Sequence, residues 1–184
     1  MRNQITVLGL DLGSNLGFCR SICTLRPTLH INVVDHGTIC LDTLATERMK
    51  KEYNEVFSRS RVRMMIFEET VRRLSEIARF DCFVTEDVFC NPTRVNSFRA
   101  LTLYMETLER IVNIEHQKRL YTVPPTLIKK HISGYGQSDK IAVQAAVLAN
   151  PNITIKKSGS LGEHEADAIG CTYSFLMEYM MTLV

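Results

Sequence analysis

The run ITVLGLDLG, residues 5–13, decides the fold. Its β-branched and leucine residues predict a buried strand, which carries one acid, Asp11, just before a leucine and a glycine. Two more strand candidates follow at once, LGFCRSICTL (16–25) and LHINVVDHGTI (29–39), joined by the turn RPT. Strands in close succession with short connections are typical of an antiparallel meander. The chain is therefore expected to begin with three antiparallel strands.

Helical and strand patterns alternate beyond Thr46. Apolar residues at three-to-four spacing predict helices from Thr46 to Arg79, with a break near Arg59–Ser60, and over 93–116. The later elements are expected to be strands at 80–86 and 119–125, a short helix at 126–132, a helix capped by Ser138 and ending at Asn150, a loop at 150–162, and a helix at 163–181. The order predicts one mixed α/β domain over residues 1–184, with a five-stranded sheet flanked by helices.

Composition limits the classes of protein to consider. The 184 residues are 45% hydrophobic and 23% charged, as in ordinary soluble domains, and the net charge of +2 does not require a nucleic-acid partner. No apolar run is long enough to span a bilayer and no leader is evident, so no membrane association and a cytoplasmic location are expected. Six cysteines without a CxxC pair indicate reduced, buried thiols rather than disulfides or a zinc site.

Acids and one histidine stand where a core would not place them. Asp11 and Glu86 each end a predicted strand, and His164 and Asp167 are three residues apart on one face of the last helix. Ligands of α/β sheets bind at strand ends, so these side chains would converge if the first and fourth strands are neighbours. Carboxylates with one imidazole suit Mg²⁺ or Mn²⁺, and two such ions can support phosphodiester hydrolysis. The pattern favours a metal-dependent nuclease.

Each residue also has an ordinary structural explanation. An Asp near a Gly is common in turns, and Glu86 followed by Asp87 fits a strand leaving the core. Glu163 and Asp167 could complement the dipole of the last helix. Only their joint placement favours a catalytic site.

Four segments, in order, resemble RuvC-type Holliday junction resolvases. They are VLGLDLGSNLGFCR with its GxDxGxxxxG pattern, VTEDVFCNPTRVNSFRALTLYMETL with an E-x-V-F turn, VPPTLIKKHISGYGQSDKIAVQAAV, and HEADAIG. The resemblance implies an RNase H-like fold, a homodimer, and incision of four-way or otherwise branched DNA with Mg²⁺ or Mn²⁺, two ions per site. By position it implies metal and catalytic roles for Asp11, Glu86, His164 and Asp167. It also implies a catalytic role for Lys140 and DNA contacts by Phe89, Arg94, Lys129, Lys130 and Lys140.

The chain departs from the family pattern in places. Leu12 stands where many relatives have Pro, and the segment 42–63 is unusually rich in charge. Glu163 and Glu165 flank His164, which leaves open whether either belongs to the site. These departures bear on cleavage-sequence preference and on selectivity for four-way junctions over other branches.

Two other functions fit parts of the sequence. GLDLGSNLG (9–17) also resembles the first phosphate loop of actin and sugar-kinase ATPase domains, but no later D-x-G-x-G accompanies it. A non-catalytic module that binds branched DNA is the third interpretation, against which the full set of candidate ligands argues.

Overall fold

The protein is described here by a computed structural model covering residues 3–47, 49, 51, 59–89, 93, 95–156 and 161–182. The strands are β1 (Gln4–Asp11), β2 (Asn15–Thr24), β3 (His30–Cys40), β4 (Cys82–Glu86), β5 (Arg119–Val123) and β6 (Ile153–Ile155). The helices are α1 (Leu41–Leu44), α2 (Arg59–Glu76), α3 (Val95–Glu109) continued by a π-helical segment (Arg110–Glu115), α4 (Pro125–Ser133), α5 (Lys140–Ala149) and α6 (Glu163–Thr182).

One sheet in the order β5-β4-β1-β2-β3-β6 forms the centre of the fold. The pairs β1–β2 and β2–β3 are antiparallel, which confirms the predicted meander, whereas β4 pairs with β1 and β5 with β4 in parallel. The expected five strands become six, because Ile153–Ile155 pairs in parallel with Ile31–Val33. A strand of three residues carries no pattern of its own and forms because the edge of β3 offers a partner.

Helices cover both faces of the sheet. Alternation along β1 sends Val7 into a core with α4, α5 and α6, and sends Leu8 and Leu10 into a second core with α2 and α3. All three side chains are essentially inaccessible to water, and each such burial is worth about 1.5–3 kcal/mol. A central strand buried on both faces explains why residues 5–10 read as an almost continuous apolar run.

A β-bulge in β3 changes which residues face α6. Arg20 lies opposite Asp35 but Ser21 lies opposite Val33, so Val34 is an extra residue without an opposite partner. Directly opposite residues of antiparallel strands share a face. Before the bulge Val33 faces α6; after it, His36 does, opposite Cys19. The regular alternation expected from the sequence would have pointed His36 away from α6.

Two helix ends differ from the sequence-based expectation. The N-cap of α5 is Asp139 and not Ser138: the Asp139 carboxylate accepts from Ala142 N–H at 2.8 Å, while the Ser138 hydroxyl donates to Tyr135 O. Both residue types cap helices, so the sequence alone did not separate them. The helix predicted at 93–116 ends in the π-helical segment. Much of the helix predicted from Thr46 to the break at Arg59 lies outside the described residues.

The described cysteines agree with the reduced state expected. Cys19, Cys23, Cys40, Cys82 and Cys171 are free thiols, and Cys90 lies outside the described residues. No helix in the described part of the chain combines the length and apolar character needed to cross a bilayer.

Helix α6 approaches the sheet so closely that side chains are excluded at two positions. A Cβ built on Gly17 would overlap the backbone of His164, with the carbonyl carbon 2.5 Å away. A Cβ on Gly9 would lie 2.6 Å from the carbonyl oxygen of Ala168. The two glycines therefore let the helix backbone rest directly on β1 and β2.

Gly17→Ala is expected to push the first turn of α6 off the sheet. Such overpacking is expected to lower the free energy of unfolding by about 1–3 kcal/mol, measured by denaturant unfolding. Gly13→Ala is the matched control, because a Cβ there would meet its nearest atom, Asn15 O, at 3.5 Å. Equal free energies of unfolding for the two variants would contradict the close-approach argument.

Candidate active site

The ends of β1 and β4 bring two carboxylates together. Leu10 lies beside Thr85 in the parallel pair of β1 and β4. Asp11 and Glu86, one residue further on, are therefore neighbours at the C-terminal ends of these two strands. Strand alternation places Asp11 on the face of Val7, and Glu86 on that of Val84, and both valines belong to the core under α6. The two acids thus share the face covered by α6.

The first two turns of α6 bring the other two candidate residues. The His164 ring donates from Nδ1 to Asp11 Oδ2 over 2.7 Å. Asp167, one turn further, is close enough for the Asp11 charge to raise its pKa. The geometry therefore brings Asp11, Glu86, His164 and Asp167 into one cluster, as the convergence argument anticipated.

The cluster resists carrying its full negative charge. Burial, and then the charges of Asp11 and Asp167, raise the pKa of Glu86 to about 7. Burial, and then Asp11, raise the pKa of Asp167 to about 6. The hydrogen bond to Asp11 raises the pKa of His164. Half-buried acids that repel one another in this way provide a strong field for a cation.

Two lysines border the acids. The charges of Lys129 on α4 and Lys140 on α5 both lower the pKa values of Glu86 and Asp167. The two lysines therefore lie near the cluster of acids. Lys140 Nζ forms a salt bridge with Glu163 Oε1 and is largely exposed. Lys130 is exposed, and Arg94 lies outside the described residues.

Glu163 and Glu165 have different partners. Glu163 pairs with Lys140, whereas Glu165 Oε2 accepts from His36 Nδ1 at 2.6 Å. Thr38 Oγ1 donates to the other Glu165 oxygen at 3.5 Å. Sequence reasoning did not find His36, because its orientation depends on the bulge at Val34.

The donors fit a hard divalent ion by their chemistry. Carboxylate oxygens and one imidazole are ligands that Mg²⁺ and Mn²⁺ accept, and the raised carboxyl pKa values show a charge excess that a cation would relieve. No three His, Cys, Asp or Glu side chains of the described residues are arranged to enclose one ion. Side chains of the cluster would have to move to hold one.

A cleft of about 250 Å³ opens beside the carboxylates. Asp11 and Glu86 line part of it, and the remaining wall is mainly apolar, formed by Leu12, Asp87, Val88, Phe89, Ser97, Phe98 and Leu101. Phe89 is 65% exposed, which is unusual for an aromatic ring and leaves it accessible to a ligand. An apolar cleft that ends at acids suits a ligand with both flat apolar and polar parts.

The sheet order and the flanking helices are those of an RNase H-like fold, as the sequence resemblance predicted, although the sheet has six strands here. Solved Holliday junction resolvases share this fold.

Particular solved structures share this fold over nearly the whole chain. RuvC of Thermus thermophilus matches with a TM-score of 0.68 and 14% identity, over 96% of both chains, and its complex with a Holliday junction substrate matches equally well. The yeast mitochondrial Holliday junction resolvase Ydc2 matches with a TM-score of 0.63 and 10% identity, over 97% of this chain and 84% of that one. The Fowlpox virus resolvase, in complex with Holliday junction DNA, matches with 0.51 and 10%, over 96% and 99%.

Comparison at the level of sequence finds no relative. No protein-family model and no curated protein matches the chain. At identities of 10–14% the structural likeness establishes the fold.

Proposed function

We propose that the chain is a metal-dependent endodeoxyribonuclease that cuts four-way or otherwise branched DNA. One observation carries the proposal: Asp11, Glu86, His164 and Asp167 converge where the C-terminal ends of β1 and β4 meet the first turns of α6, and the pKa values of Glu86 and Asp167 are raised. The fold supports the choice of substrate, because two of the solved structures that share it contain Holliday junction DNA.

Asp11, Glu86, Asp167 and His164 would hold the metal, which we propose to be Mg²⁺ or Mn²⁺, with two ions per site. Bound divalent ions would supply a water of lowered pKa and offset charge on the phosphate. Asp11 neighbours Glu86 on the adjacent strand and is hydrogen-bonded to His164 on α6, so it would contribute its carboxylate together with both of them. Glu86 and Asp167 would supply further negative charge to hold the ions.

His164 and Lys140 would handle protons and charge. Because His164 Nδ1 donates its hydrogen bond to Asp11, Nε2 is the ring nitrogen that would bind an ion or accept a hydrogen bond from a water. Lys140 would exchange its salt bridge with Glu163 for the phosphate, where its charge stabilises the transition state.

DNA contacts would surround this cluster. Phe89 can stack on an unpaired base at a branch point, since its ring is exposed at the mouth of the cleft. Lys129 borders the acids, and Lys130 follows it on α4. Together with Lys140 and Arg94, these lysines would bind the phosphate backbone of the DNA, which gives an affinity that falls as the salt concentration rises. An ordinary loop-anchoring role for Phe89 is disfavoured by its exposure.

Two copies of a single-domain chain would act together. A four-way junction presents two equivalent strands, and a two-fold dimer places one site at each. The exposed Val95 and Leu103 on the outer side of α3 support that helix as part of the dimer surface.

The test is incubation of the wild-type protein with labelled four-way, Y-shaped and linear DNA, with Mg²⁺ or Mn²⁺ and with EDTA. Cutting of branched but not linear DNA, abolished by EDTA, is expected. Binding of branched DNA without cutting would support the non-catalytic module. ATP hydrolysis without cutting would support the ATPase interpretation.

A further inference from the structure

A hydrogen bond joins the first turn of α6 to strand β3. His36 on β3 donates from Nδ1 to Glu165 Oε2 over 2.6 Å, and the His36 side chain is 6% exposed. Thr38 and the backbone N–H of Gly162 also lie within 3.5 Å of the Glu165 carboxylate. Glu165 is adjacent in sequence to His164, which bonds to Asp11.

The bulge at Val34 is what makes this contact available. If residues 33–38 alternated regularly with no bulge, His36 and Thr38 would lie on the face opposite Val33 and would face α2 and α3. With it, His36 lies opposite Cys19 and Thr38 opposite Gly17. Bulges often re-aim a side chain beside a functional site.

The contact flanks the acidic cluster at the same level of the sheet. Asp11 lies opposite Gly17, and Gly17 lies opposite Thr38 on its other side. The backbone of His164 rests on Gly17, between these two neighbours. His164 therefore reaches to one side, toward Asp11, while Glu165 reaches to the other, toward His36.

We propose that His36 and Glu165 are a positioning pair that sets the rotation of α6 and thereby the placement of His164 and Asp167 against Asp11. Successive residues of an α-helix are about 100° apart, so fixing Glu165 fixes the direction of His164. The close contact at Gly17 sets how near the backbone of α6 lies to the sheet. The inference rests on the proposed function, because it assigns the pair to that site.

The pair touches none of the reacting groups, so its effect should be seen on the rate at saturating substrate and on metal affinity. Residues that orient metal ligands typically change metal affinity or activity by about 10–100-fold when removed. His36→Leu is expected to lower kcat for a four-way junction by that factor with little change in KM. It is also expected to weaken Mn²⁺ binding to the DNA-free protein, measured by titration calorimetry, by about 10-fold. His36→Asn should restore much of both, because its amide nitrogen occupies the place of Nδ1.

His131→Leu is the matched control. His131 lies on α4 and bonds from Nδ1 to Ser174 Oγ at 2.7 Å on the same helix α6, about three turns beyond His164. The His131→Leu substitution removes a comparable histidine hydrogen bond to α6, the one to Ser174, without touching the first turn of that helix. His131→Leu is expected to lower the melting temperature and to leave kcat and Mn²⁺ affinity near wild type.

The outcomes separate the two ideas. If the wild type cuts DNA and His36→Leu behaves like His131→Leu in both kcat and Mn²⁺ affinity, the positioning pair is refuted and the proposed function stands. If the wild type binds Mn²⁺ but cuts no DNA, the proposed function falls and the Mn²⁺ comparison alone decides the pair. If the wild type binds no Mn²⁺ and cuts nothing, both fall. Should His36→Leu fail to fold, Glu165→Met is measured in its place, because it keeps the length of the side chain and removes the acceptor oxygens, with the same expected losses.

Discussion

Asp11→Asn is expected to abolish metal-dependent cutting of a four-way junction, by about 10³-fold or more, while junction binding persists. The amide keeps the size of the side chain but removes the charge that lies between Glu86 and His164. Losing several kcal/mol of electrostatic stabilisation corresponds to at least three powers of ten in rate. Binding should be unchanged or slightly tighter, since one negative charge near the phosphates is gone.

The measurements are single-turnover cleavage of a labelled junction in Mg²⁺ and in Mn²⁺, and junction binding in EDTA. Asp35→Asn is the control, because it makes the same chemical change on a neighbouring part of the sheet, at the bulge of β3. Cleavage by Asp11→Asn at the rate of Asp35→Asn would refute the assignment of the site.

Glu86→Gln is expected to have opposite effects on stability and on activity. The folded-state pKa of Glu86, about 7, lies above the 4.5 of a free side chain. The stability this group contributes is therefore complete below pH 4.5 and is lost as pH rises through 7. At pH 8 without metal the wild type carries an unfavourable charge that Gln lacks, so the variant should be more stable by about 1–3 kcal/mol.

Thermal unfolding in EDTA at pH 5 and pH 8 measures the difference. For a chain of 184 residues, 1 kcal/mol moves Tm by about 2–4 °C, so Glu86→Gln should melt about 2–12 °C above wild type at pH 8 and near it at pH 5. Adding Mn²⁺ should raise the wild-type Tm more than that of the variant. Glu86→Gln should also cut junctions at least about 10²-fold more slowly. A variant less stable than wild type at pH 8 would contradict the repulsion argument.

Asp87→Asn is the natural comparison for these experiments. It changes the next carboxyl in the chain. Because successive side chains along a strand point to opposite faces, Asp87 at the end of β4 is expected to point away from α6. A gain in stability at pH 8 for Asp87→Asn equal to that for Glu86→Gln would show that general surface charge, and not the cluster, is responsible.

The parts of the fold that could be predicted are those with local signals. The meander follows from apolar runs separated by short turns, and the amphipathic helices follow from their spacing. The convergence of Asp11 with Glu86 required one further assumption, that the first and fourth strands are neighbours, and the sheet order satisfies it. Parallel pairing then brings both strand ends to one edge.

The parts that could not be predicted depend on partners distant in the sequence. The strand Ile153–Ile155 exists through pairing with β3, and the bulge at Val34 exists only relative to the register of β2. No residue type marks either one. For this reason the sequence alone does not identify the contact between His36 in β3 and Glu165 in α6.

The contacts at Gly9 and Gly17 bear on how such a site can change through evolution. A substitution at a member of the cluster such as His164 alters one side chain and leaves the path of the backbone intact, so one mutation can introduce it and another can revert it. A side chain at Gly17 displaces the helix that carries both His164 and Asp167. Variation among descendants of this chain should therefore accumulate in the side chains of the cluster, while the bare backbone beneath them stays fixed.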